Sequence, residues 1–157
     1  NLFSNCSNLK TVYGVFKETA ITGSIPEKLL SNCPNITVVS ELFRECTGLT
    51  GTIPENLFVN NPNIISFYAT FTGCTGLTGA IPENLFINQT QINNIQGCFR
   101  NCTGLSDSQI KIVSKNITKA MQLCEGVNAK VIVYVPRGIV DDDIWGTSHV
   151  TIVEYDI

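Results

Sequence analysis

The feature that most constrains this chain is a ten-residue phrase that recurs at a fixed interval. "LTGTIPENLF" begins at Leu49, "LTGAIPENLF" begins 28 residues later at Leu77, and a looser copy, "ITGSIPEKLL", begins at Ile21. The three sequence repeats align without gaps and occupy residues 23–50, 51–78 and 79–106. A fixed period of about 20–50 residues is typical of solenoids, in which each repeat buries the same face against its neighbours.

Each repeat predicts a short helix followed by an extended piece. The proline of the I-P-E motif suits the first turn of a helix, and the glutamate after it favours the positive end of the helix dipole. An asparagine six residues later is expected to end that helix. The prolines are Pro26, Pro54 and Pro82, and the asparagines are Asn32, Asn60 and Asn88.

The extended piece leads into a turn with the sequence C-T-G. We expect positive φ at its glycines, Gly48, Gly76 and Gly104. Between Ile36 and Cys46 apolar residues recur at about every third position, which leaves a strand and a 3₁₀ turn both open.

One string recurs in register and resembles a known family. The pattern h-x-x-h-x-x-h-F-x-x-C-x-x-L appears as "ITVVSELFRECTGL", "IISFYATFTGCTGL" and "INNIQGCFRNCTGL". It is similar to the repeats of BspA-like leucine-rich-repeat proteins of bacterial cell surfaces. The resemblance covers about residues 2–105 and implies a right-handed coil stack, a surface location in bacteria, and a role in adhesion or protein binding.

A second resemblance competes with the first. The phrase L-T-G-x-I-P is similar to plant-type extracellular leucine-rich repeats, but here cysteine replaces the asparagine of that motif. We therefore rank a plant-type extracellular recognition domain second.

The fold class predicted from these patterns is an α/β repeat solenoid. Its form would be a right-handed leucine-rich-repeat superhelix with short strands, short helical or 3₁₀ turns and a period of 28 residues. The predicted domains are leucine-rich-repeat coils over residues 1–106, of which residues 1–22 are a truncated first coil, and a C-terminal capping segment over 107–157 with a helix and two strands. Ser106 or Asp107 would cap the helix, and "VIVYVP" and "HVTIVEY" would be the strands.

Composition excludes some partners. The formal net charge is −3 and the pI is about 5, which argues against nucleic acid as a partner because phosphate binding needs a basic patch. The longest apolar run, Val131 to Val135, is far too short to span a bilayer. The chain begins inside a repeat, so we expect it to be a fragment of a secreted or cell-surface protein whose anchor is not in this segment.

The cysteines are expected to be structural. Cys46, Cys74 and Cys102 fall one repeat apart, and a row with a spacing of about 4.8 Å holds thiols in parallel. Neither a zinc site nor disulfides within the row fit that arrangement. The phenylalanines three residues earlier, Phe43, Phe71 and Phe99, are expected to be structural as well. Any pairing among Cys6, Cys33, Cys98 and Cys124 stays open.

No residue pattern indicates catalysis. Asp141–Asp143 could hold calcium, although an acidic helix N-terminus explains the run better. His149 is the only histidine, and no serine or cysteine has a local triad signature. We therefore predict no enzyme activity, no cofactor and no metal site.

Residues that vary inside a fixed frame are the candidates for binding. They lie on the predicted extended face and are Thr37, Ser40, Glu41, Ser66, Tyr68, Asn94 and Gln96. The function predicted is a non-catalytic adhesion or binding module whose partner is a protein or glycan, such as one on a host surface or in extracellular matrix. A structural spacer within a larger surface protein is the alternative.

Overall fold

Regular secondary structure is confined to the C-terminal third of the described chain. The computed structural model describes residues 2–146 and 149–156. Strand β1 is Ser108–Lys111, β2 is Val131–Pro136, helix α1 is Asp142–Trp145 and β3 is Thr151–Tyr155. The strands form one parallel sheet in the order β1-β2-β3, with Ser108 opposite Val131 and Ile132 opposite Thr151.

This architecture contradicts the predicted fold class. The prediction of an α/β leucine-rich-repeat solenoid, a right-handed superhelix with strands and helical turns in every 28-residue repeat, is wrong. The protein is a small three-stranded parallel sheet attached to a mostly irregular, turn-rich region, and the only described helix has four residues. The descriptions of the chain as a leucine-rich repeat and as a solenoid, which follow from that prediction, are wrong for the same reason.

The sequence repeats do contact one another, but through single bridges. Isolated parallel bridges join Thr11 to Val38, Val38 to Ser66, Ser66 to Asn94 and Asn94 to Lys119. We call residues 10–18, 37–45, 65–73, 93–101 and 118–126 the five ladder segments. At each junction four alternate N–H groups of one ladder segment donate to four alternate carbonyls of the next.

Left-handed residues prevent the ladder segments from forming strands. Each segment has two residues with positive φ, four positions apart, such as Glu41 and Glu45 at 56° and 58° or Gly97 and Asn101 at 61° and 58°. Extended backbone requires negative φ, so each such residue turns the chain. The extended face predicted from "NITVV" and its equivalents is therefore a series of turns that bond sideways.

The segments after the prolines form turns and not helices. In each repeat the residue three after the proline donates to the proline carbonyl, as in Leu57 N–H to Pro54 O at 3.2 Å. Only separate i to i+3 bonds of this kind follow, and a helix needs consecutive bonds to repay its nucleation cost. The I-P-E motif therefore begins a turn.

The glycines of the C-T-G motif have a different role from the one predicted. Gly48, Gly76 and Gly104 do not have positive φ. Instead, each lies against the backbone of the preceding repeat, where a Cβ at Gly48 would lie 2.6 Å from the carbonyl oxygen of Ile21. At Gly76 and Gly104 a Cβ would collide with the carbonyl oxygens of Leu49 and Leu77.

Strand β1 replaces the helix expected after Ser106. The Ser108 hydroxyl donates to Ser106 O at 2.7 Å and accepts the Ile81 N–H at 2.9 Å. The Asp107 carboxylate accepts the Lys130 N–H at 2.8 Å, just before β2 begins. These side chains tie β1 to its neighbours, so Asp107 joins two parts of the sheet where a helix cap was expected.

The core runs through the sequence repeats and continues under the sheet. One apolar cluster joins the buried leucine, isoleucine and phenylalanine side chains of the repeats to Val131, Val133 and Trp145. Phe43, Phe71 and Phe99 stack with ring centroids 5.6 and 5.7 Å apart. In the described ranges, no helix combines the length and apolar character that crossing a membrane requires.

Candidate binding surface

Two of the predicted binding residues are buried. Ser40 and Glu41 are only 5% and 4% exposed. The Ser40 hydroxyl lies 2.8 Å from the Ser66 hydroxyl, so these two side chains satisfy each other across a ladder junction. Neither Ser40 nor Glu41 is available to a partner in this conformation.

Glu41 is the buried centre of a charge cluster whose other members are partly exposed. Its carboxylate accepts from the Tyr13 hydroxyl at 2.8 Å, from Lys17 Nζ at 2.7 Å and from Arg44 at 3.2 Å. Burial by itself would raise the pKa of Glu41, but the hydrogen bonds from Lys17 and Tyr13 and the two positive charges outweigh it and lower that pKa. The hydrogen bond to Glu41 raises the pKa of Lys17 and of Tyr13. The cluster stabilises the first ladder junction.

Tyr68 and Gln96 come together at a small cleft. They line a space of about 70 Å³ whose rim includes Arg44 and Arg100. Asn94 supports the cleft, because its side-chain oxygen accepts the Gln96 N–H at 3.0 Å. This volume is well below the about 300–1,000 Å³ of typical ligand pockets, so the cleft offers a contact point and not an enclosed site.

Thr37 lies apart from that cleft, in a larger groove. The groove holds about 670 Å³ and crosses the three sequence repeats and the truncated segment before them. Its lining consists of four amide side chains, a lysine, a threonine and an isoleucine: Asn8, Lys10, Asn35, Thr37, Asn63, Ile65 and Gln91. We call it the amide groove. Of the predicted binding residues, Thr37 alone lies in it.

Hydrogen bonds to the preceding repeat hold the amide groove in shape. Asn35 Nδ2 donates to Ser7 O at 2.9 Å, and Asn63 Nδ2 donates to Pro34 O at 3.2 Å. Within residues 2–146 and 149–156 the Oδ1 atoms of both asparagines accept no hydrogen bond. The groove therefore presents fixed amide acceptors beside the Lys10 ammonium and the side chain of Ile65, which is 36% exposed.

The sequence contained a signal for the amide groove that selecting residues which vary between repeats did not detect. Asn8, Asn35, Asn63 and Gln91 occupy equivalent positions at the start of successive strings, "NLKTV", "NITVV", "NIISF" and "QINNI". A search for positions that vary between repeats excludes these four residues, because all four carry a side-chain amide. A row of exposed amides at one register position would have pointed to the groove.

The cysteine row makes backbone contacts one repeat apart. The thiols of Cys46, Cys74 and Cys102 donate to the carbonyls of Phe16, Phe43 and Phe71 at 2.8, 3.0 and 2.9 Å. Burial raises the pKa of Cys74, and it raises the pKa of Cys102 to about 12. A thiol in that state is a poor nucleophile at neutral pH.

The remaining cysteines are unpaired as well. Cys6, Cys33, Cys98 and Cys124 are free thiols, and all but Cys6 are buried. Burial raises the pKa of Cys98 well above its ordinary value and that of Cys124 to about 12. Buried protonated thiols resist oxidation, so the free state of these residues agrees with either redox compartment.

The acidic run caps helix α1. Asp141 is the N-cap residue, and its carboxylate accepts the Asp143 N–H at 2.8 Å. His149 lies with Asp142 and Trp145 at the rim of a separate shallow groove. Across residues 2–146 and 149–156, no three histidine, cysteine or acidic side chains are grouped closely enough to hold a metal ion.

Comparison with known protein families, with curated proteins and with solved structures finds no match for this chain.

Proposed function

We propose that this chain is a non-catalytic binding module that recognises a protein or glycan partner through the amide groove. The observation that carries the proposal is the groove itself, which crosses the three sequence repeats and the truncated segment before them, and in which backbone hydrogen bonds hold Asn35 and Asn63 in place. The fixed acceptors of Asn35 and Asn63, with the adjacent Lys10 ammonium and the Ile65 side chain, suit a partner that presents hydroxyl or amide donors.

A location at a bacterial cell surface is part of the proposal. Its support is the recurring F-x-x-C-x-x-L string, which resembles BspA-like surface proteins. The buried cysteines are poor candidates for a catalytic nucleophile, because burial raises their pKa values.

The experiment is a binding screen followed by paired variants. The folded protein is tested against a defined glycan array and a panel of extracellular-matrix proteins, which separates the two partner classes. A ligand found in either arm is then titrated against Ile65→Asp, within the groove, and Ile87→Asp, which is outside it and equally exposed at 36%. We expect Ile65→Asp alone to weaken binding at least about tenfold.

Two results contradict the proposal. One is a blank screen with protein that is demonstrably folded, which would favour a structural spacer. The other is a ligand whose affinity falls equally in both variants, because the amide groove would then have no special part in binding.

A further inference from the structure

A second groove lies between the second and third sequence repeats, at the turns that follow their prolines. It holds about 350 Å³, which is within the range of about 300–1,000 Å³ of typical ligand pockets. It shares no lining residue with the amide groove, and both of its walls come from the interior of the sequence. We call it the Glu55 groove, and its lining includes Glu55, Val59, Asn84, Ile87, Asn88 and Gln89.

The Glu55 groove contains a glutamate and an asparagine that do not bond each other. One repeat earlier, the equivalent pair is closed, because Asn56 Nδ2 donates to Glu27 Oε1 at 2.7 Å. The side chains of Glu55 and Asn84 make no hydrogen bond or ion pair with any described residue. The groove therefore holds a carboxylate whose charge no described partner neutralises.

Two more side-chain oxygens of the Glu55 groove lack donors. Gln89 is 1% exposed, and its Nε2 donates to Phe58 O at 2.8 Å, while its buried Oε1 accepts no hydrogen bond from a described residue. Asn88 Nδ2 donates to Val59 O at 3.1 Å, so Asn88 Oδ1 is an acceptor that no described residue uses. Buried acceptors without donors are uncommon in native proteins. The groove is therefore suited to a ligand that brings N–H groups.

The charge and the apolar surface of the Glu55 groove narrow the ligand further. Among the described residues that line it there is no lysine, arginine or histidine, so the Glu55 carboxylate sets the sign of its charge. Val59 and Ile87 occupy equivalent positions in the two repeats and are 43% and 36% exposed. These two side chains place aliphatic surface beside the oxygen acceptors.

We propose that the Glu55 groove binds a primary ammonium group carried on an aliphatic stem, as found in a lysine side chain or a free alkylamine. The ammonium supplies three N–H donors and the positive charge that complements Glu55. Its acceptors are the Glu55 carboxylate and the side-chain oxygens of Asn88 and Gln89, and the stem packs on Val59 and Ile87.

The probes are pentylammonium and Nα-acetyl-lysine N-methylamide, each titrated into the whole chain and followed by NMR chemical shifts. We expect saturable shifts at residues 55–59 and 84–89 with a dissociation constant of about 1–10 mM. Binding should weaken at least about fivefold in Glu55→Gln. Glu83→Gln is the matched control, because Glu83 is the exposed equivalent of Glu55 one repeat later and does not line the groove. The control should bind like the unmodified protein.

A second measurement leaves the protein unchanged. Trimethylation of the pentylammonium nitrogen keeps the charge and the stem but removes every N–H donor, so it should weaken binding at least about fivefold. Tighter binding of the lysine derivative than of pentylammonium would identify a lysine of a partner protein as the source of the ammonium group, and the reverse order would identify a free alkylamine.

Three results would overturn the proposal: no saturable shift with folded protein, equal loss of binding in Glu55→Gln and Glu83→Gln, or equal binding of the trimethylated probe. Ile65→Asp should leave the binding of pentylammonium intact, so the outcome is independent of the amide groove.

Discussion

At the scale of single residues, backbone geometry decides which positions are constrained. The chain has left-handed residues in every ladder segment, and they include Glu41 and Ala69, for which this conformation is unfavourable. The glycines of the C-T-G motif are constrained by close approach to a neighbouring carbonyl instead. Sequence alone identified these glycines as special, but it could not separate positive φ from close approach, because both reasons select glycine.

Gly76→Ala tests the close approach directly. The new Cβ would collide with the Leu49 carbonyl oxygen, so the backbone of two repeats must shift, and we expect a loss of about 1–3 kcal/mol in the free energy of unfolding. Gly14→Ala is the comparison, because Gly14 has a φ of 59° but its Cβ would find its nearest neighbour at 3.7 Å. Urea denaturation that shows a smaller cost for Gly76→Ala than for Gly14→Ala would contradict the explanation.

Glu41→Gln tests the charge cluster around the buried Glu41 carboxylate through the pH dependence of stability. The pKa of Glu41 is lowered on folding, so its contribution to stability is present above the unfolded value of about 4.3 and is lost as pH falls through the folded value. Lys17 has a raised pKa, so its contribution to stability is fully present below its unfolded value of about 10.4 and is lost as pH rises through the higher folded value.

We therefore expect the variant to be less stable by about 1.5 kcal/mol at pH 7, near the lower end for hydrogen bonds to charged groups, because Lys17 and Arg44 can return to solvent. Denaturation curves at pH 7 and pH 3 measure the difference. The difference in unfolding free energy between the unmodified protein and the variant should be smaller at pH 3 than at pH 7. A difference that is the same at both pH values would show that the carboxylate charge is not what stabilises the junction.

At the scale of elements, the sequence predicted contact between repeats better than it predicted the form of the chain. Apolar residues at fixed register positions, such as Phe43, Phe71 and Phe99, are informative because a buried position tolerates few substitutes. Whether each segment forms a helix, a strand or a turn was not predictable from the same residues. Pro54 and Glu55 suit a turn as well as a helix N-terminus, and left-handed residues such as Glu41 carry no signal in their identity.

The predicted binding residues show the same limit of prediction from sequence alone. Variation between repeats selected Ser40 and Glu41, which vary because they make different buried contacts, and not because they face a partner. Asn63 and Gln91 in the amide groove were passed over because their amide chemistry recurs. Burial of a polar side chain depends on its particular neighbours, and one sequence does not contain that information.

Phe71→Ala tests the phenylalanine stack. Phe71 lies between Phe43 and Phe99 and is fully buried, so truncation leaves a cavity and should cost about 3–5 kcal/mol of unfolding free energy. Phe16→Ala, at the half-buried end of the stack, should cost less than half as much. Equal costs in chemical denaturation would mean that the stack does not act as a continuous core.

At the scale of the whole molecule, the short parallel sheet and the turn-rich repeats share one apolar core and leave the amide groove on the outside. The groove is built from several repeats at once, so its shape depends on the ladder junctions that join them. Loss of a junction should therefore weaken binding as well as stability, whereas a surface change elsewhere should affect neither.

The most direct test of the account is the affinity of a ligand from the glycan or matrix-protein screen for the unmodified protein, Ile65→Asp and Ile87→Asp. Isothermal titration should give at least about a tenfold loss for Ile65→Asp and unchanged affinity for Ile87→Asp, with both variants as stable as the parent. Unchanged affinity in Ile65→Asp would contradict the central claim that the amide groove is where this protein binds its partner.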